Sequence, residues 1–356
     1  NAKITALIPT YKRPELLRRA MLSVLGQSYG DLQLSIFDNA SGKDTTNVVT
    51  SLARDDHRVK YHCHSNNIGG QENQRHAFKS VDTPYFSILS DDDFLAKDFY
   101  KNAVDVLDNY PEVMFVILNT FRVDENTNLI EHKVCTNKLS LHTGKKGFDE
   151  IHSGNIPLTW TGMVFRKDLV KMYEEMDDDN DVGNDMRFIF RAASLYDFAY
   201  LSKVGAFFTA HSKSASSTFK AVNLVHQGII ISRYIEIYHD ENVSQDVKDS
   251  TIFYIKSLLS LKPRMVYSIG KIIANFIISS EFANEKIEEN IRDLKYSGYK
   301  KTHIVLNYLH NSKIAKIFTK LMLGRLYRQN LIRNQSKMLS LQNGVYKKHF
   351  DYIIND

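Results

Sequence analysis

The chain has 356 residues, a net charge of +5 and two cysteines, Cys63 and Cys135. That length allows two domains and a large core, and so few cysteines exclude a disulfide-built scaffold and favour a reducing compartment. No apolar run reaches the roughly 18 residues of a membrane-spanning helix: the nearest candidate, Met265 to Ser280, is broken by Lys271 and Asn275, and Ile4 to Pro9 is too short for a signal peptide.

The first 120 residues alternate apolar runs and amphipathic stretches. Ile4 to Pro9 is expected as a strand, and Pro14 to Gln27 as a helix with Leu16, Leu17, Ala20, Met21, Val24 and Leu25 on one face and Pro14 in its first turn. Leu32 to Phe37 is a strand closed by Asp38-Asn39, and Val59 to His64 is a third. Gly70 to Ser80 reads as a helix, Tyr85 to Ser90 as a buried strand, Lys97 to Asn109 as a helix stopped by Pro111, and Met114 to Asn119 as another strand. This alternation predicts an α/β fold with a mostly parallel sheet covered by helices on both faces. Residues 121 to 160 are less regular. Helices are expected over about Lys167 to Glu175 and Asp185 to Ser194, and a strand over Val204 to Ala210. Beyond about Ser217 the pattern is helical, so the expected division is a catalytic domain over 1–215 and a helical, basic domain over 216–356.

The charge is uneven. Leu294 to Phe350 contains 12 Lys or Arg and no Asp or Glu, which leaves 34 basic against 41 acidic residues elsewhere. Ile314, Ile317, Phe318 and Leu321 share one helical face, with Lys313, Lys316 and Lys320 on another. Such a segment suits an anionic membrane surface, and a helical bundle or an oligomer contact is the alternative. The aromatic interleaving of a nucleic-acid binder is missing, so no nucleic-acid partner is expected.

Asp91, Asp92 and Asp93 follow the apolar strand Tyr85-Phe86-Ser87-Ile88-Leu89-Ser90. Adjacent carboxylates repel one another unless a cation or solvent relieves the charge, and the carboxyl end of a strand in an α/β sheet is where such folds bind ligands. Carboxylate oxygens suit Mg²⁺ or Mn²⁺, which keep coordination positions for phosphate oxygens. The first expectation is a metal–diphosphate site.

Further segments stand at the same edge. Ile8-Pro9-Thr10-Tyr11-Lys12-Arg13-Pro14 closes the first strand, Asp38-Asn39-Ala40-Ser41 the second, and Asn66-Asn67-Ile68-Gly69-Gly70 the third, with Arg75 shortly after. Gly183-Asn184-Asp185 opens a later helix and His211-Ser212-Lys213-Ser214 comes after it. In this order the set resembles the family 2 glycosyltransferases, inverting enzymes of the Rossmann-like GT-A fold that use nucleotide-diphosphate sugars. The resemblance covers roughly residues 3 to 215.

The resemblance implies roles. Pro9, Thr10, Tyr11, Arg13, Asn67, Gly69 and Arg75 would line the nucleotide and diphosphate, Asp38 would meet the base, usually uracil, and Asp91 the ribose or donor sugar. Asp92 would hold Mn²⁺ or Mg²⁺ at the family's Asp-x-Asp position, with Asp93 and His211 as further ligands; Ser90 stands where many relatives have the first aspartate. Asp185 matches the catalytic base, with Asn184 in place of a glutamate, and Trp160, Thr161 and Gly162 would form the acceptor wall beside Asn184. The implied function is transfer of a sugar from a UDP-sugar to a hydroxyl of a glycan or lipid-linked glycan, in bacterial surface-polysaccharide or lipopolysaccharide assembly. The expected location is cytoplasmic, peripheral on the inner face of the cell membrane. A sugar nucleotidyltransferase is disfavoured because Pro9 to Pro14 has no glycine; a degenerate glycan- or membrane-binding scaffold is the non-enzymatic alternative.

Overall fold

In a computed structural model the described residues are 2–54, 56–132, 134–176, 184–211, 233–234 and 236–260. The basic segment 294–350, and with it most of the expected helical domain, lies outside them. The described residues fall into two compact units: one holds those up to 176 together with Leu195–His211, the other 184–194 and 233–260.

In the first unit the strands are β1 (Ile4–Thr10), β2 (Leu32–Asp38), β3 (Val59–Cys63), β4 (Tyr85–Ile88), β5 (Phe94–Leu95), β6 (Phe115–Val123), β7 (Leu129–Glu131), β8 (Leu139–His142), β9 (Met163–Arg166) and β10 (Phe198–Thr209). Between them run helices α1 (Pro14–Leu25), α2 (Lys43–Ala53), α3 (Gly70–Lys79), α4 (Phe99–Asn109), α5 (Gly144–His152) and α6 (Leu169–Glu174). One sheet runs in the order β3-β2-β1-β4-β9-β6-β10-β5, with β7 on β6 and β8 on β10. β3, β2, β1 and β4 are mutually parallel, as are β6 and β10, whereas β9 runs antiparallel to both β4 and β6.

The central parallel strands β1 and β4 are mostly apolar because both faces are covered, whereas the edge strand β3 is polar and largely exposed. Ile4, Ala6 and Ile8 point with Tyr85 into a core shared with Leu17, Ala20, Met21 and Val24 of α1 and Phe99, Ala103 and Leu107 of α4. The next residue of β4, Phe86, meets Phe78 of α3 at 5.3 Å between ring centroids. Successive strand residues face opposite ways, so α3 covers the face opposite α1 and α4. Chain order reverses between β1 and β4, which is the topological switch point where ligands bind in open α/β sheets.

Two strands run further than the sequence pattern suggests, and the first, β6, continues past the expected end at Asn119 to Val123. β10 begins at Phe198 rather than Val204, because Ser202 and Lys203 interrupt its apolar run at register shifts between Leu201 and Ala206. Gly205 sits inside that irregularity. A Cβ there would come 2.4 Å from the Leu118 Cβ and 3.0 Å from Phe99 Cδ2. Gly205→Ala is therefore expected to destabilise the fold by about 1–3 kcal/mol, read as a lowered midpoint in denaturant unfolding with an unchanged slope.

In the second unit, α7 (Asn184–Leu195) is joined by α8 (Gln245–Ser260), although Leu195 itself groups with the sheet unit. Arg187 and Arg191, one turn apart on α7, pair with Glu236 at 2.8 Å and Asp240 at 3.1 Å. Among the described residues, no helix is long and apolar enough to cross a membrane.

Candidate active site at the carboxyl edge of the sheet

Three loops leave the carboxyl ends of β1, β2 and β3 and are bonded to one another. Asn39 N–H donates to the Thr10 carbonyl at 3.1 Å, and Lys12 N–H to Ser41 Oγ at 2.8 Å. The Asn39 side chain donates to Asn67 Oδ1 and accepts from Ile68 N–H, both at 2.8 Å, while Gly69 N–H also donates to Asn67 Oδ1 at 2.8 Å. Gly69 has φ +87°, where a side chain would be strained. Lys12 and Ala40 hold φ values of 56° and 59° without being glycine. Two strained non-glycine residues facing the switch point mark backbone over-determined by its surroundings.

Asp38 ends β2 fully buried. Its Oδ1 accepts from Ser41 N–H at 2.9 Å and its Oδ2 from the Tyr61 hydroxyl at 2.6 Å. Burial, reinforced by that carboxylate, pushes the Tyr61 hydroxyl pKa up. Tyr11 is exposed at the rim, and its hydroxyl pKa is lowered by hydrogen bonding to Lys12 and Asn67.

The structure gives the three aspartates different surroundings. Asp91 is buried; its Oδ2 accepts from the Thr10 hydroxyl at 2.8 Å and its Oδ1 from Arg13 Nη1 at 3.0 Å. Burial raises its pKa, with Arg13 opposing. Asp92 presents Oδ2 to Arg13 Nη1 at 2.9 Å and to His211 Nε2 at 2.9 Å. Asp93 turns inward: its Oδ2 accepts from the Thr161 hydroxyl at 2.5 Å and its Oδ1 from Thr209 N–H at 2.8 Å. Burial, with the like charge of Asp92 beside it, pushes the Asp93 carboxyl up to about 8.

Asp93, expected as a metal ligand, thus has both oxygens engaged within the protein and ties the aspartate loop to the Trp160–Gly162 turn and to the end of β10. Asp93→Ala would leave a buried N–H and hydroxyl unpaired, and is expected to cost about 2–4 kcal/mol. Thermal unfolding checks this, with Asp92→Ala, at a carboxylate that accepts from no backbone N–H among the described residues, expected near the wild-type midpoint.

Arg19 on α1 is a component that the sequence reading did not single out. Its Nη2 donates to the Asp92 carbonyl at 2.5 Å and the Thr209 hydroxyl at 2.8 Å, and its guanidinium lies 4.6 Å from the centre of the Phe94 ring. It fixes the main chain at Asp92. Its place on the helix after Pro14, facing inward among apolar residues, was the available signal.

Other expected site residues lie elsewhere. Arg75 donates to the carbonyls of Glu174 and Met176 at 3.3 and 3.4 Å and approaches Glu72 at 3.6 Å, so it serves the carboxyl end of α6, where a cation complements the helix dipole. Trp160 is buried against Phe78 and Tyr173, with centroid distances of 5.8 and 6.3 Å, so its ring lies in an aromatic core rather than on an open acceptor wall. Gly162 is required by packing, since a Cβ would fall 2.3 Å from Thr120 Oγ1. Asn184 and Asp185 open α7 in the second unit; Asp185 is exposed and accepts a hydrogen bond from Met186 N–H at 2.8 Å.

The chain is similar to known proteins in sequence and in fold. Residues 5–174 match the family model described as Glycosyl transferase family 2. The GalNAc(5)-diNAcBac-PP-undecaprenol beta-1,3-glucosyltransferase of Campylobacter jejuni is 33% identical over 94 residues, 26% of this chain and 30% of that protein. The processive diacylglycerol beta-glycosyltransferase of Mycoplasma pneumoniae is 26% identical over 138 residues, 37% of this chain and 40% of that protein. The chain thus spans less than half the length of these curated relatives. Among solved structures, TarS 1–349 of S. aureus in complex with UDP-GlcNAc matches with a TM-score of 0.60 and 15% identity over 92% of each chain. The mannosyltransferase PcManGT of Pyrobaculum calidifontis, in complex with GDP-Man and Mn²⁺, matches with a TM-score of 0.52 and 15% identity over 90% of this chain and 87% of that one. Residues 5–174 thus match glycosyltransferase family 2, on a GT-A fold.

Proposed function

We propose that the protein is an inverting, metal-dependent glycosyltransferase that moves a sugar from a UDP-sugar to a hydroxyl of a glycan or lipid-linked glycan. The observation that carries this reading is the pairing of Asp92 Oδ2 with His211 Nε2, 2.9 Å apart, beside the switch point of the sheet. That separation is the span of two ligands on one ion with bonds of about 2.0–2.2 Å. Among the described residues no three His, Cys, Asp or Glu side chains form a complete cage. The pair fits a hard ion that completes its shell with diphosphate oxygens and water, as Mg²⁺ and Mn²⁺ do. When bound, such an ion neutralises the charge developing on the departing diphosphate.

The chain's own groups supply the remainder. Thr10 and Arg13 hold the buried carboxylate of Asp91 beneath the loop after β1. Asp185 is the proposed base: it takes the proton of the acceptor hydroxyl as that oxygen bonds to the anomeric carbon, and the bond from that carbon to the diphosphate oxygen breaks on the opposite side. The name of the Campylobacter relative supports an acceptor carried on a lipid pyrophosphate, and the titles of the solved structures support a nucleotide-sugar donor. The basic segment 294–350 is the proposed contact with anionic lipid at the inner membrane face.

The test is the stereochemistry of the product. α-Configured UDP-sugars, offered with lipid-pyrophosphate-linked glycans and Mn²⁺, should yield β-linked sugar by NMR. An α-linked product would exclude single displacement.

A further inference from the structure

We propose that Arg13 is an internal counter-cation that a divalent metal must displace from Asp92, so that metal and nucleotide diphosphate bind as a coupled pair. This rests on the proposed metal–diphosphate site and adds an order of events to it. One guanidinium nitrogen, Nη1, lies 3.0 Å from Asp91 Oδ1 and 2.9 Å from Asp92 Oδ2. The same Asp92 oxygen is the one that His211 approaches. A metal taking that oxygen would therefore stand within contact distance of a fixed positive charge, which opposes its binding.

The groups differ in freedom. The side chains of Asp91, Asp92 and His211 are 7%, 13% and 6% exposed, whereas that of Arg13 is 32% exposed. Arg13 also precedes α1 as its N-cap residue, directly after Lys12 in its left-handed conformation. Of these groups the guanidinium therefore has the most room to move. Guanidinium groups bind phosphate oxygens through paired, charge-assisted hydrogen bonds, so an arriving diphosphate offers Arg13 a new partner and frees Asp92 for the metal.

The experiment measures Mn²⁺ alone by the free-ion EPR signal, and UDP with saturating Mn²⁺ by calorimetry. Wild type is compared with Arg13→Gln, Arg13→Ala and Arg13→Lys, each checked for a wild-type melting midpoint. The expected result is Mn²⁺ binding alone about tenfold or more tighter in Arg13→Gln and Arg13→Ala, UDP binding about tenfold or more weaker in both, and Mn²⁺ affinity in Arg13→Lys within about threefold of wild type. Unchanged or weaker Mn²⁺ binding in whichever neutral variants fold, with UDP still bound by the wild type, would overturn the role of Arg13 alone. Failure of the wild type to bind UDP with Mn²⁺ would instead overturn the site on which the proposal rests.

Discussion

Asp92→Ala is expected to reduce sugar transfer on the order of 10²–10³-fold and to remove the metal dependence of nucleotide binding, while leaving the fold intact. The reason lies in how its carboxylate is placed. Among the described residues its Oδ2 meets Arg13 and the buried His211, and no backbone N–H donates to it. The loop itself is held by other bonds: Arg19 grips the Asp92 carbonyl, and Asp93 anchors to Thr161 and Thr209. Removing the Asp92 side chain therefore takes away the proposed metal ligand without taking away a support. Steady-state kinetics over a Mn²⁺ titration would check this, and wild-type turnover with an unchanged Mn²⁺ dependence would remove Asp92 from the site.

Asp185→Asn is expected to lower kcat by about 10²–10⁴-fold, the range of general-base contributions, with KM for the donor nearly unchanged. The amide keeps the shape of the carboxylate and can still accept from Met186 N–H, so the opening of α7 should survive. What the amide cannot do is accept a proton from the acceptor hydroxyl. A loss confined to kcat marks a group that acts only in the transition state. Donor hydrolysis and transfer, measured side by side with UDP affinity, separate this from a binding defect; normal turnover would reassign the base.

The strands and motifs at the ligand edge were legible in the sequence because the buried central strands are predominantly apolar runs. Ile4–Thr10 and Tyr85–Ile88 stand out for that reason, and the polar residues that end them mark the edge of the sheet. Helix α2 was not legible: Lys43–Ala53 contains three threonines, an asparagine and a serine, and only Thr45 and Val49 are buried. β9, with four residues, is too short for its pattern to declare a strand or its antiparallel direction.

Within the site, sequence could place Asp91, Asp92 and Asp93 together but could not rank them. Their difference arises from partners far along the chain: Thr161 and Thr209 claim Asp93, whereas Arg13 and His211 claim Asp92. Arg19 was hidden for the same reason, since its two partners are 73 and 190 residues away. Trp160 shows the converse limit, since its sequence fits an acceptor wall and the core equally. A lone tryptophan beside a glycine suits a sugar platform, but the glycine is required by the Thr120 hydroxyl and the indole by the Phe78–Tyr173 stack.

The central claim is a metal-assisted diphosphate site at the Asp92–His211 pair. Calorimetric titration of UDP into the full chain, with Mn²⁺ and then with EDTA, tests it most directly. Binding in Mn²⁺ that is lost in EDTA, and lost again in Asp92→Ala, is the predicted result. Equal binding in Mn²⁺ and EDTA, or no binding of UDP in either, would contradict it.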